Sequence, residues 1–172
     1  MSNHVSVDDS CVSAFRELKG KREVNTVIYR LSDALDICVV ERQANLTQDE
    51  LLSVLPAHEP RLVLHDLAFA SVDGARRNRI LLISWLPRGI SPRREAAYVH
   101  GHAALLRRLD GGLLSLRAAD SASLDYRRLV TAAQAGTRSR DRSGSASGSP
   151  VPVGQTGASG DGACSMSSRR SA

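Results

Sequence analysis

The stretch from Asp73 to Leu109, DGARRNRILLISWLPRGISPRREAAYVHGHAALLRRL, restricts the possible folds of this chain more than any other. Asp73-Gly74 is a strong turn signal. Ile80 to Trp85 is close to continuously apolar, as a central strand buried on both faces would be. Pro87, Gly89 and Pro92 bound a short loop. Ser91 as N-cap and Pro92 at the first helical position then open a long helix, which stops near Leu109 at Asp110-Gly111-Gly112. A strand apolar on both faces needs a helical layer above and below it, and this helix is one candidate.

The rest of the chain supplies compatible parts. An Asp near Val7-Asp8-Asp9 suits a helix N-terminus, and Cys11, Val12, Phe15 and Leu18 recur at helical spacing up to Gly20. Val24 to Leu31 and Ile37 to Glu41 read as a hairpin about Ser32-Asp33. Thr47 with Glu50 forms a capping box for a helix over Gln48 to Leu55, which Pro56 ends. Arg61 to Ala70 is a strand with Leu62, Leu64 and Asp66 on one face and Val63, His65 and Leu67 on the other. Leu113 to Arg117 is a short strand, and Asp120 or Ser121 caps a last helix to about Ala133. The order α-β-β-α-β-β-α-β-α predicts an α/β fold. It is a single domain over residues 3–135, with a mixed sheet of five to six strands flanked by helices on both faces. Residues 136–172 contain 17 Gly or Ser among 37 residues and few large apolar side chains, so a disordered tail is expected.

Spacing residues 100° apart divides the long helix. Tyr98, Val99, His102, Leu105, Leu106 and Leu109 share an arc expected to face the sheet. The opposite arc holds Arg93, Ala96, Ala97, His100, Ala103, Ala104, Arg107 and Arg108. Arg93 and Arg94 occupy the positive end of the helix dipole, costing about 0.3–1 kcal/mol each. A helix selected only for stability would carry Asp or Glu there, so the pair suggests a surface for carboxylates. Arg76, Arg77 and Arg79 form a second cluster, with Arg77 and Arg79 on one strand face.

The net charge of +5 is uneven. The tail contributes +3 and residues 1–135 only +2, which favours local docking patches over a nucleic-acid-binding domain. Aromatic residues at 3% leave few platforms for base stacking. Cys11, Cys38 and Cys164 form no C-x-x-C pair, and the first two are expected to be small buried hydrophobes in a reducing compartment. The five histidines show no ligand spacing, and His100 and His102 lie about 200° apart on the helix. No nucleophile–base set or phosphate loop is present, so neither a metal, a cofactor nor an enzymatic activity is expected. With no leader-like segment and no 18-residue apolar run, a soluble, cytosolic, monomeric protein is expected.

These residues resemble the actin-depolymerising factor/cofilin family over residues 5 to about 130. VSVDDSCVSAFRELK matches the first helix of that family, LLSVLP the close of the second, and DGARRNRILLISWLP the basic strand with its Trp-x-Pro exit. AALLRRLDGG matches the end of the long helix, and AADSASLDY the approach to the last one. The resemblance implies a cofilin-like protein that binds monomeric and filamentous actin, prefers the ADP-bound form, and severs or depolymerises filaments. It also implies two contact surfaces. The monomer surface carries over to Ser2 and Val5 at the N-terminus with Arg93, Arg94, Ala96 and Arg107 on the long helix. The filament surface carries over to Arg76, Arg77 and Arg79. Phosphoinositide headgroups are a further anionic partner for these arginines.

The sequence departs from the family pattern at several points. Glu95 stands at the lysine of the family's basic-x-Lys-Met motif and Ala96 at its methionine. Arg94 is the neighbour expected to compensate for Glu95. Asn3-His4 replaces the small residues before the first valine, and Thr131 to Ala133 replace charged residues of the last helix. An alternative is therefore a cofilin-fold adaptor of the glia-maturation-factor type, acting on the branch-nucleating actin-related complex.

Overall fold

The computed structural model describes residues 4–142, with side chains to residue 136. Its elements are β1 (Ser6–Val7), α1 (Asp9–Gly20), β2 (Thr26–Leu31), β3 (Ile37–Ala44), α2 (Gln48–Val54), β4 (Arg61–Ala70), β5 (Arg76–Trp85), α3 (Pro92–Arg108), β6 (Leu114–Ala118), a 3-10 turn (Ser121–Leu124) and α4 (Tyr126–Arg142). The six strands form one sheet in the order β1-β3-β2-β4-β5-β6. The outer pairs β1/β3 and β5/β6 are parallel and the inner three are antiparallel, so the expected mixed sheet is present.

Strand alternation divides the core into two layers. Leu62, Leu64 and Leu82 pack beneath α1 and α3, against Phe15, Leu18, Tyr98 and Leu105. Val63, Leu67, Leu81 and Ile83 pack against Leu51 of α2 and Leu129 of α4. β4 and β5 sit centrally and contribute to both layers, which accounts for the continuous apolar run of Ile80 to Trp85. Cys11 and Cys38 are buried, as expected of small hydrophobes. Cys164 and the tail from residue 143 onward lie outside the described residues.

Local chemistry sets most element ends. Thr47 Oγ1 accepts from Glu50 N (3.3 Å) and the Glu50 carboxylate accepts from Thr47 N (2.7 Å), completing the capping box at α2. Gly74, at φ 79°, turns the β4–β5 hairpin. Four differences from the sequence reading have physical causes. β1 is only two residues long, too short for periodicity to reveal. The residue beyond the stop of α1 with left-handed backbone is Arg22 (φ 54°), not Gly20, which remains helical. Asp120 caps the 3-10 turn rather than α4, and α4 begins at Tyr126 with Asp125 accepting from Arg127 N (3.0 Å). Finally, α4 continues past Ala133 to Arg142, so its last turns occupy the first residues of the tail expected to be disordered. Within this extension, Arg79 Nη2 comes within 3.1 Å of where a Cβ on Gly136 would sit.

Candidate functional site

Helix α3 starts as the sequence indicates. Ser91 caps it, accepting from Arg94 N at 3.4 Å, and Pro92 takes the first turn. Its inner face is fastened at two places. The Tyr98 hydroxyl accepts from Leu31 N (3.0 Å) inside the core. Burial pushes the Tyr98 phenol above its ordinary pKa, opposed by that hydrogen bond and by Arg61 and Arg94, so it stays neutral. One turn further on, His102 is held between two serine hydroxyls, Nδ1 to Ser84 Oγ (2.6 Å) and Nε2 to Ser115 Oγ (2.6 Å). Burial lowers its pKa and both ring nitrogens are engaged by serine hydroxyls, so it is a neutral core-edge residue that ties α3 to β5 and β6.

The rotation of α3 differs from the wheel prediction. Ala97, Gly101 and Ala104 are buried, whereas Val99 and Leu106 are 44% and 38% exposed. The cause is close approach. A Cβ on Gly101 would lie 3.2 Å from methyls of both Leu31 and Leu62, so the small residues form the seam along which helix and sheet meet. Turning that seam inward carries Val99 and Leu106 outward. With Ala96 and Ala103, both half-buried, they make an apolar stripe at spacings of three and four residues. By the same helical spacing Arg93 and Arg107 border one edge of this stripe, near its two ends, and both are exposed. A hydrophobicity wheel hides this exposed stripe, because it counts Val99 and Leu106 toward the core.

The arginines expected at the monomer surface are available. Arg93, Arg94 and Arg107 are exposed and form no ion pair with a described carboxylate. Arg94 lies 100° from Arg93 and points along a different line. Glu95 itself is ion-paired with Arg117 of β6. Val5 needs correction as a contact residue, because its side chain is 5% exposed and packs in the core under α3 near Gly101. The N-terminal segment pairs with β3 at Ile37 and Cys38, and Ser6 N donates to Asp36 O just before that strand (2.8 Å). Ser2 lies outside the described residues. A groove of about 280 Å³ runs between this segment and α3, lined by His4, Val5, Ser6, Ala104, Arg107 and Arg108.

The second cluster is less uniform than the sequence suggests. Arg76 is exposed and unpaired among the described residues. Arg77 is tied back to its own hairpin by Asp73 (3.3 Å) and Ser71 Oγ (3.1 Å). Arg79 is half-buried along α4, and its Nε has no hydrogen-bond partner. Arg76 and Arg77 border a cleft of about 390 Å³ with Phe69, Asn78 and Tyr126, whose hydroxyl donates to Ala68 O at 3.1 Å.

Among the described residues no group of three or more His, Cys, Asp or Glu is placed to hold a metal, and no helix is long and apolar enough to cross a membrane. The mixed sheet turns one long helix outward, with an exposed apolar stripe bordered by arginines. Residues 4–134 match the model of the cofilin/tropomyosin-type actin-binding protein family, and the chain belongs to that family. It is 32% identical over 123 residues to actin-depolymerizing factor 3 of Arabidopsis thaliana, covering 70% of this chain and 88% of that protein. Among solved structures it resembles Streptomyces griseoflavus cofilin (TM-score 0.69, 24% identity, 77% of this chain and 98% of that one). It also resembles the ADF/cofilin of Trypanosoma brucei (TM-score 0.63, 26% identity, 78% and 97%).

Proposed function

We propose that this chain binds monomeric and filamentous actin and promotes filament depolymerisation and severing. The observation that carries the reading is the outward face of α3, where an exposed apolar stripe is bordered by arginines without ion pairs to described carboxylates, on a helix hydrogen-bonded to the sheet from below. Such a face offers apolar burial for affinity and guanidinium groups for acidic side chains at the rim. The exposed end of the β4–β5 hairpin, led by Arg76, provides a second contact on a filament. Severing requires no bond chemistry. A ligand that prefers one twist of the filament shifts the population toward it, and strain gathers where decorated and bare segments meet. The protein acts as a monomer at the actin cytoskeleton, and phosphoinositide headgroups compete for the same arginines.

Co-sedimentation with ADP-actin filaments at low and moderate salt, scored for bound protein and for released actin, tests this. Wild type should bind, release actin, and bind less as salt rises. Arg93→Glu with Arg94→Glu should abolish monomer binding while the melting transition persists; unchanged affinity would defeat the assignment. Glu95 and Ala96 at the lysine and methionine positions favour a second reading, an adaptor for the branch-nucleating actin-related complex. In that case wild type would neither sediment with filaments nor release actin.

A further inference from the structure

We propose that Arg117 is a partner-contacting residue of the monomer surface, and that Glu95 is its positioning residue rather than a gap in the cationic face. This rests on the actin-binding reading above. Glu95 and His102 are seven residues apart, so they lie on one stripe of α3, two turns from each other. Ser115 and Arg117 are two residues apart, so they share one face of β6. His102 already bonds Ser115, which sets β6 under that stripe and brings Arg117 to Glu95.

The ion pair crosses from strand to helix and leaves both side chains accessible, 61% exposed for Arg117 and 42% for Glu95. It engages one guanidinium nitrogen, Nη2, and no other described group takes the remaining donors. A guanidinium carries five N–H donors in a planar fork, enough for two carboxylates at once. By helical spacing Glu95 borders the exposed Val99 and Leu106 on the side away from Arg93, so it holds one edge of the fork beside that apolar stripe and leaves the other edge for an acidic side chain of actin. Its own charge is neutralised in the process, so no bare carboxylate meets an acidic partner.

Titration of labelled ADP-actin monomer with wild type, R93E/R94E, R117A, E95Q and E95Q/R117A tests this, with melting curves as the control for folding. R117A should weaken binding about tenfold or more and flatten the salt dependence. E95Q should also weaken it, about threefold, although removing a negative charge would strengthen binding to an acidic partner on charge counting alone. E95Q/R117A should recover only part of the R117A loss. Stronger binding by E95Q overturns the positioning role of Glu95. Recovery of wild-type affinity by the double variant means that Arg117 only silences Glu95, and overturns the contact. Normal binding by R117A, with R93E/R94E impaired, removes this proposal and leaves the actin reading standing. Failure of wild type to bind removes both.

Discussion

The outward stripe of α3 makes the sharpest quantitative prediction, for Val99→Ala combined with Leu106→Ala. These side chains are 44% and 38% exposed in the free protein. Docking that covers the stripe removes roughly 70 Å² of remaining area from each, and truncation to alanine forfeits somewhat over half of that. At about 25 cal/mol per Å² the pair loses about 2 kcal/mol, or about thirtyfold in Kd. Stability should barely change, because neither residue anchors the core, and alanine in place of valine adds a few tenths of a kcal/mol through helix propensity. The assay is a titration of labelled ADP-actin monomer, paired with a urea melt of each variant. Less than a threefold change in Kd with an unchanged melt would refute α3 as the docking face. A stability loss above about 1 kcal/mol would show instead that the stripe is part of the core.

Three further outcomes concern the scaffold. Tyr98→Phe strands Leu31 N–H in the core and should cost about 1–3 kcal/mol, lowering Tm by several degrees; an unchanged transition would mean that the amide has another acceptor. Burial holds His65 and His102 below the ordinary value of 6.5, so the unfolded chain binds protons that the folded chain refuses. Their stabilisation is therefore complete above about pH 6.5 and is lost as pH falls toward the folded-state values. His102→Gln should flatten that slope in urea midpoints measured from about pH 5 to 7.5. Arg22→Gly, at φ 54°, should add about 1 kcal/mol to the unfolding free energy by relieving left-handed strain; a loss of stability would show that the Arg22 side chain matters more than its backbone.

Most of the scaffold was legible because its signals are short-range. The Thr47–Glu50 box, the Ser91-Pro92 start and the Asp73-Gly74 turn each depend on atoms within a few residues, and each appears as the sequence suggests. The alternation of β4 correctly separated Leu62 and Leu64 from Val63 and Leu67. The family pattern also drew attention to α3 and to the basic strand. It placed Val5 at a contact, however, where pairing of β1 with β3 carries that side chain into the core.

By itself the sequence determined the longer helices and strands, where most of them start, that the sheet is buried on both faces, and that arginines crown α3. Only the tertiary structure decided which side of α3 faces out, because a stripe of Ala97, Gly101 and Ala104 can be buried or exposed with equal periodicity. That choice depends on Leu31 and Leu62, which lie at least 35 residues away in the chain. The same holds for Arg79 lying against Gly136 and for Arg117 meeting Glu95. Helix and strand periods report the direction of a side chain relative to its own backbone. What it meets there is set by packing among elements that are distant in sequence.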